Sequence, residues 1–390
     1  MIESILFSMG MLLLGAKILG HLCQMKGIPS LTGEIIAGII IGPILGLVIP
    51  GNFLVGFITF GLAILLFIAG TEVHYEDIKL NTYGASAVAI GGGVLSFALG
   101  YLVGIIYFND WMIAFAIGTI LVSTSNAALF SLLSKLGKTK SKVGSFILTA
   151  TIADDIVGIF FVALFTYISK NFSIHATDIF NFSIQVNDMF KLVLLAIGFY
   201  FFVFTAGSKI VDKILKIAGR FRDENILLAI PLGIAFILSV MTNNFGLSMA
   251  TGAFLAGAAI SGNRFTNDII VPKVTTLADG FAVPLSYAAI GTLIVLQGLN
   301  FFVVVAIFFA AVAGKFIGCS ISSMFFGYSR KESTFIGLSL IPRGNENIAF
   351  AQIVFLSGLI AGSIYSSIIL AIVLTAVTTP IFMKLAERGK

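Results

Sequence analysis

Two adjacent carboxylates, Asp154 and Asp155, lie in the middle of an apolar run spanning 142–169. Thr124-Ser125-Asn126 interrupts a second apolar run, Lys315 stands alone in a third, and Arg343 with Glu346 interrupts a fourth. An ionised carboxylate at the centre of a bilayer costs at least about 2.5–3.5 kcal/mol, so such a residue is functional or paired. Neighbours on a helix point about 100° apart. One aspartate can therefore face a cavity while the other meets a partner. Lys315 is the natural partner, since an unpaired buried lysine would lose its proton. A carboxylate in that setting holds a proton or a cation, but poorly both, which is the chemistry of exchanging one for the other. The alternative is a set of pairs with Lys315 and Arg343 that only secures folding. Thr124, Ser125 and Asn126 offer the oxygens that a hard cation takes. The same groups also suit the capping of a helix break. Arg343 and Glu346, three residues apart, can pair on one helix face.

The composition says what must carry these groups. Of 390 residues, 58% are hydrophobic and 11% charged, and the mean hydropathy is +1.08. Soluble domains carry about 25% charged residues. A soluble enzyme, a disordered protein and a single-span anchor with a soluble head are all excluded. Apolar runs of about 20 residues are helix length, unlike the short alternating segments of a transmembrane barrel. The expected fold is an all-α polytopic membrane protein of about 13 spans. They fall near 3–23, 29–49, 52–73, 83–108, 111–134, 142–169, 189–208, 224–241, 245–262, 280–297, 300–326, 333–358 and 362–386. Glu3 stands where a signal peptide has a basic region, so the N-terminus reads as the first span. Cys23 and Cys319 read as packing thiols, with no disulfide framework.

Lysines and arginines gather in alternate connections: Lys26, Lys79, the group from Lys135 to Lys142, the group from Lys209 to Arg222, Arg264 with Lys273, Arg330 with Lys331, and the tail. This places the N-terminus outside and the C-terminus in the cytoplasm of a cell membrane. The net charge of +5 is therefore a topology signal, and no nucleic-acid partner is expected. At about 1.5 Å rise per residue, Asp154 lies about 18 Å and Arg343 about 15 Å from the inner side. Thr124 and Lys315 reach a similar depth from outside. All converge near the middle of a core roughly 30 Å thick.

An internal repeat supports that convergence. Thr32-Gly33-Glu34-Ile35-Ile36-Ala37-Gly38 and Thr251-Gly252-Ala253-Phe254-Leu255-Ala256-Gly257 share one pattern, and Gly70-Thr71 recurs as Gly291-Thr292. The same step carries Thr124-Ser125-Asn126 onto Arg343-Gly344-Asn345. The copies enter the membrane from opposite sides, as in inverted-repeat transporters, where broken helices at equivalent points mark a midplane site. Unwound backbone at that depth must be enclosed by protein or line a water-filled cavity. Other features read as bland. Gly91-Gly92-Gly93 is a packing face. Glu34 and Glu72 read as solvated residues near the cytoplasmic mouth. His21, His74 and His175 lie at membrane edges, and the sequons at 171–173 and 181–183 are common by chance.

Together these residues resemble the monovalent cation:proton antiporter superfamily, in particular its electrogenic bacterial and archaeal Na+/H+ branch (NapA-like). The resemblance runs through Thr32-Gly33-Glu34 with Gly42-Pro43, Leu65 to Glu72, Thr124-Ser125, Ala153-Asp154-Asp155, Gly314-Lys315 and Pro342-Arg343-Gly344. In the electroneutral branch the first acid is typically Asn, and in glutathione-gated potassium-efflux relatives Gln. The resemblance implies 13 helices with two crossing discontinuous ones, and a homodimer in membrane lipid. It divides the chain into a dimerisation domain (1–73 and 224–297), a mobile core (83–169 and 300–386) and a linker helix (189–208). It implies elevator-like movement, Na+ held at Asp155, Asp154 and Thr124, and Asp154 paired with Lys315 until Na+ arrives. Na+ or Li+ and H+ would be the cargo, with no cofactor. No nucleotide partner is expected, because the chain ends just after the last helix. K+/H+ exchange is the alternative within the class. A channel would not need the titrating cluster, and an intramembrane aspartyl protease needs its two aspartates on separate helices. One position departs from the family: Asn345 follows Pro-Arg-Gly where Glu is common, with Glu346 next.

Overall fold

The computed structural model describes residues 2–26, 28–71, 75–125, 129, 133, 138, 141–171, 198, 205, 207–219, 224–244 and 249–388. Among them every regular element is helical: α1 (Ile2–Met25), α2 (Ser30–Ile39), α3 (Asn52–Thr71), α4 (Tyr75–Phe108), α5 (Trp111–Ile120), α6 (Lys142–Asn171), α7 (Ser208–Ala218), α8 (Glu224–Asn244), α9 (Met249–Ile260), α10 (Val271–Leu277), α11 (Val283–Thr292), α12 (Phe301–Phe325), α13 (Arg330–Ser339), α14 (Asn345–Leu356) and α15 (Gly362–Arg388). Eight helical runs among the described residues are long and apolar enough to cross a membrane. Shorter apolar helices occupy Ser30–Ile44, Trp111–Ile120 and Glu346–Leu356. Most of the expected span at 189–208 lies outside the described residues, as do Asn126, Glu72 and His74.

Wide π-helical turns at Ile40–Ile44, Thr266–Ile270 and Ala278–Ala282 extend the regular helices. The first contains Pro43, whose missing N–H is absorbed where the helix is already loosened. The other two join α10 and α11 into one run, Thr266–Thr292. That run starts well before the expected 280, and α4 starts before 83. Both early starts carry charged residues (Asp268 and Lys273; Glu76, Asp77 and Lys79) that hide a helix from a hydropathy reading. Side chains fix several helix starts. Asp110 accepts from the Met112 and Ile113 amides at 2.7 and 3.1 Å, and Asn300 from the Phe302 amide at 3.0 Å. Ser329 and Glu332 form a reciprocal capping box at α13. The Ser329 amide and hydroxyl donate to Glu332 and hold its carboxyl below the usual range.

The chain forms two compact units, one from 1–62, 76–158 and 279–390, the other from 63–75 and 159–278. In the first, Ala85, Val88, Phe146, Ile147, Cys319, Ile336 and Leu340 share one buried cluster. The glycine triplet is the packing face expected of it. A Cβ at Gly91 would overlap Ser322, and one at Gly92 would overlap Cys319.

The repeat is written in matching contacts. In the first unit a Cβ at Gly33 would overlap the Leu19 backbone, and one at Gly38 the Ala288 carbonyl. In the second, Gly252 stands so against Leu238 and Gly257 against Phe67. Gly291 meets the Ile35 carbonyl as Gly70 meets that of Phe254. The Thr292 hydroxyl donates to the Ala289 carbonyl at 2.7 Å, and the Thr71 hydroxyl to that of Ile68 at 2.6 Å. Each unit thus repeats a three-helix packing: α1, α2 and α11 in one, and α8, α9 and the end of α3 in the other. Small residues let the backbones approach this closely. Gly38→Ala is expected to lower the midpoint of thermal unfolding in detergent, because overpacking costs about 1–3 kcal/mol. Gly233→Ala, where a Cβ meets open space, should leave it unchanged or raise it. Equal midpoints for the two variants would refute this reading of the contact.

One expectation is corrected here. Glu34 is buried. Gly20 makes the room: a Cβ there would come within 3.1 Å of the Glu34 side chain. Close packing of α1 on α2 removes this carboxylate from the solvent expected at the membrane edge.

Candidate functional site

The candidate site lies entirely within the first unit. α6 carries Asp154 and Asp155, both buried, and α12 carries the buried Lys315. Lys315 Nζ forms an ion pair with Asp154 Oδ1. Gly92 and Gly314 let α4 and α12 close around this lysine: a Cβ at Gly92 would stand 3.1 Å from Lys315 Cδ, and one at Gly314 would crowd Ser96. Lys315 therefore has the partner that its depth demanded.

Two helix interruptions meet beside this pair. α5 ends at Ile120 and the chain runs non-helically through Ser125; α13 ends at Ser339 and α14 begins at Asn345. The breaks satisfy one another's backbone, as buried unwound chain requires. The Ser125 amide donates to the Pro342 carbonyl at 2.8 Å. The Thr124 hydroxyl donates to the Leu340 carbonyl at 3.0 Å, so Thr124 does cap a break, while its oxygen keeps acceptor capacity.

Arg343 is wholly buried. Its guanidinium donates to the Ser123 carbonyl at 2.6 Å, the Ser96 hydroxyl at 3.1 Å and the Ala311 carbonyl at 3.2 Å. The pairing expected with Glu346 is not among these bonds. The reason is local: Arg343 lies in the break, before α14 begins, so helical i,i+3 spacing does not bring the two side chains together. Glu346 itself is buried in the first turn of α14. The Asn345 side chain lies outside the described residues.

Asn347 was not anticipated. It is buried, its Nδ2 donates to the carbonyls of Ile120 at 2.7 Å and Ser123 at 2.9 Å, and its Oδ1 accepts from the Gly344 amide at 3.0 Å. A polar side chain three residues after a break glycine is a capping signal that could have found it. Asn347→Asp keeps the acceptor but loses both donors, leaving the Ile120 carbonyl short of its bond. Each such loss costs about 1–3 kcal/mol. The Asp variant should therefore unfold at nearly as low a temperature as Asn347→Ala. An Asp variant as stable as wild type would show that the two carbonyl bonds contribute little.

Polar atoms remain unspent around the acids. Asp154 Oδ2, Ser123 Oγ and Ser125 Oγ are buried with no hydrogen-bond partner among the described residues. The Ser123 hydroxyl lies against α6 where a Gly158 Cβ would be, and the Ser125 hydroxyl where a Gly344 Cβ would be. Gly158 follows Asp154 by four residues and Asp155 by three, so it shares their helix face. Ser123 thus places a hydroxyl against the helix that carries the acids. A buried oxygen without a protein partner calls for an explanation, such as an ordered water, an ion or a chemical role.

Among the described residues, a buried Asp–Lys pair and two mutually bonded helix breaks stand on a helical frame with eight helical runs long and apolar enough to cross a membrane. The chain belongs to the family described as sodium/hydrogen exchanger, transmembrane, which matches residues 9–384. Members of that family are cation/proton antiporters, which are secondary transporters and not enzymes. The chain is 29% identical over 381 residues to the Na(+)/H(+)-K(+) antiporter GerN of Bacillus cereus, covering 97% of this chain and 95% of that one. It is 26% identical to a Na(+)/H(+) antiporter of Enterococcus hirae, covering 96% of each. Its fold matches the sodium proton antiporter MjNhaP1 of Methanocaldococcus jannaschii with a TM-score of 0.72 and 17% identity, over 99% of this chain and 98% of that one.

Proposed function

We propose that the protein is an electrogenic Na+(Li+)/H+ antiporter exchanging two protons for one Na+. The observation that supports this is the Asp154–Lys315 ion pair on the residue next to Asp155. In this reading Asp155 is the principal cation ligand, and Thr124, Ser125 and Asn126 lend oxygens. Na+ arriving at Asp155 and Asp154 competes for the carboxylate that Lys315 holds. One proton leaves Asp155, and the other leaves Asp154 or Lys315. Arg343 and Glu346 support the breaks. One net charge then crosses per cycle, worth about 2.3 kcal/mol per 100 mV, and a membrane potential drives Na+ out in the service of pH homeostasis.

The same reading includes 13 spans with two crossing discontinuous helices, a homodimer, and a plasma-membrane location with the N-terminus outside. It takes 1–73 with 224–297 as the dimerisation domain, 189–208 as the linker, and 83–169 with 300–386 as a core that moves like an elevator. K+/H+ exchange is the second reading, favoured by the relative named a Na(+)/H(+)-K(+) antiporter. The test is reconstitution into proteoliposomes with an interior pH dye, adding Na+, Li+ or K+ with and without an imposed potential. Na+- and Li+-dependent proton movement that follows the potential is the expected result. A response to K+ alone selects the second reading, and none to any cation overturns both.

A further inference from the structure

The sequence of α7 pairs lysine with isoleucine three times, at 209–210, 213–214 and 216–217. All six side chains are exposed, the isoleucines at 53%, 37% and 48%. Val211, Leu215 and Ala218 between them are buried, where α7 packs on α8 and α9. The Phe265 ring closes the C-terminal end, within 2.6 Å of where a Gly219 Cβ would stand. At 100° per residue the lysines make one stripe, the isoleucines a second about 100° round, and the packed residues a third about 100° further.

That order separates two settings. A helix surrounded by water gains nothing from an exposed isoleucine every turn. A helix surrounded by hydrocarbon does not carry an exposed lysine every turn. Lysine beside isoleucine, with the third side on protein, suits the plane where acyl chains give way to headgroups. Lysine stems can reach from there to the phosphates. Asp212, the one acid of α7, lies on the side away from the isoleucines. There it pairs with Lys216 at 2.5 Å and accepts from Asn263 Nδ2 at 2.5 Å. Charges nearby in the same unit cancel, Arg264 with Asp268 at 3.7 Å and Lys273 with Glu224 at 2.7 Å. Among the described residues nearby, the excess positive charge is therefore that of α7.

We propose that α7 is an interfacial helix that binds anionic phospholipid headgroups of the inner leaflet through Lys209, Lys213 and Lys216, with Ile210, Ile214 and Ile217 in the acyl boundary. Each lysine near an anionic surface strengthens the attraction about fivefold, so the protein would gather such lipids around this helix and respond to their abundance.

The test uses the full-length protein with Cys23→Ser, in vesicles of phosphatidylcholine with or without phosphatidylglycerol. An environment-sensitive dye is placed by Ile214→Cys or Lys213→Cys. Acyl-brominated lipid should quench the dye at 214 and not at 213, and more strongly when phosphatidylglycerol is present. A triple change of Lys209, Lys213 and Lys216 to Gln should remove that dependence, and Lys213→Gln alone should weaken lipid affinity about fivefold. Quenching at 214 no stronger than at 213 overturns the interfacial placement. A phosphatidylglycerol effect that survives the triple change overturns the assignment to these lysines. Neither readout requires transport, so failure here is distinguishable from failure of the antiport reading.

Discussion

Asp155→Asn is expected to reduce cation-dependent proton movement in proteoliposomes to that of empty vesicles. The amide keeps the shape of the carboxyl group, so the variant should fold. It holds no exchangeable charge, so neither a proton nor a cation can be carried at that position. Asp154→Asn is the informative contrast. It removes the acid that Lys315 holds and leaves Asp155 in place. If one of the two protons travels on the Asp154–Lys315 pair, exchange should persist in this variant and lose its dependence on membrane potential. That outcome agrees with the resemblance drawn from the sequence, in which Asn typically replaces the first acid in the electroneutral branch and Asp154 marks the electrogenic one. Exchange at the wild-type rate by Asp155→Asn, measured with the same dye, would remove Asp155 from the cycle.

Removing Lys315 should have the largest effect on stability. Lys315→Met leaves Asp154 buried with its ion-pair partner gone, a change that typically costs about 3–5 kcal/mol. Replacing both partners is a different matter. The double variant Lys315→Met with Asp154→Asn buries no uncompensated charge, and a buried pair replaced on both sides is often neutral. The expected order of unfolding midpoints in detergent is therefore the double variant close to wild type, with Lys315→Met far below both. A single variant as stable as wild type, or a double variant no better than the single, would mean that the pair does not govern stability.

Those two residues were legible because opposite charges at one depth in hydrocarbon have few alternatives. The packing repeat was legible for a related reason: a glycine in an apolar helix marks a close backbone approach, and Gly33 and Gly252 each make one. Arg343 shows where sequence reasoning fails. Its spacing from Glu346 suggests a pair only if both lie on one helix, and the break falls between them. Asn347 was missed because its work is done on carbonyls 220-odd residues away in sequence, and carbonyls leave no mark on a sequence pattern. Glu34 was placed in solvent because depth along a span was read without knowing which face α1 would cover. Depth is a one-dimensional property of the chain, whereas facing depends on neighbours supplied by the fold.

The three-helix packings have a consequence for how the protein is made. The groove between α1 and α2 is filled by α11, from the far end of the chain, and α9 is closed by the end of α3. The earliest helices would therefore wait in the bilayer, the face of α2 around Gly38 uncovered, until residues 283–292 have left the ribosome. Loop closure over such a separation is slow. A nascent chain halted before α11 would expose the small-residue face of α2 around Gly38 to lipid. That face would be a natural handle for membrane quality control, and synthesis of the final third of the chain would be what releases it.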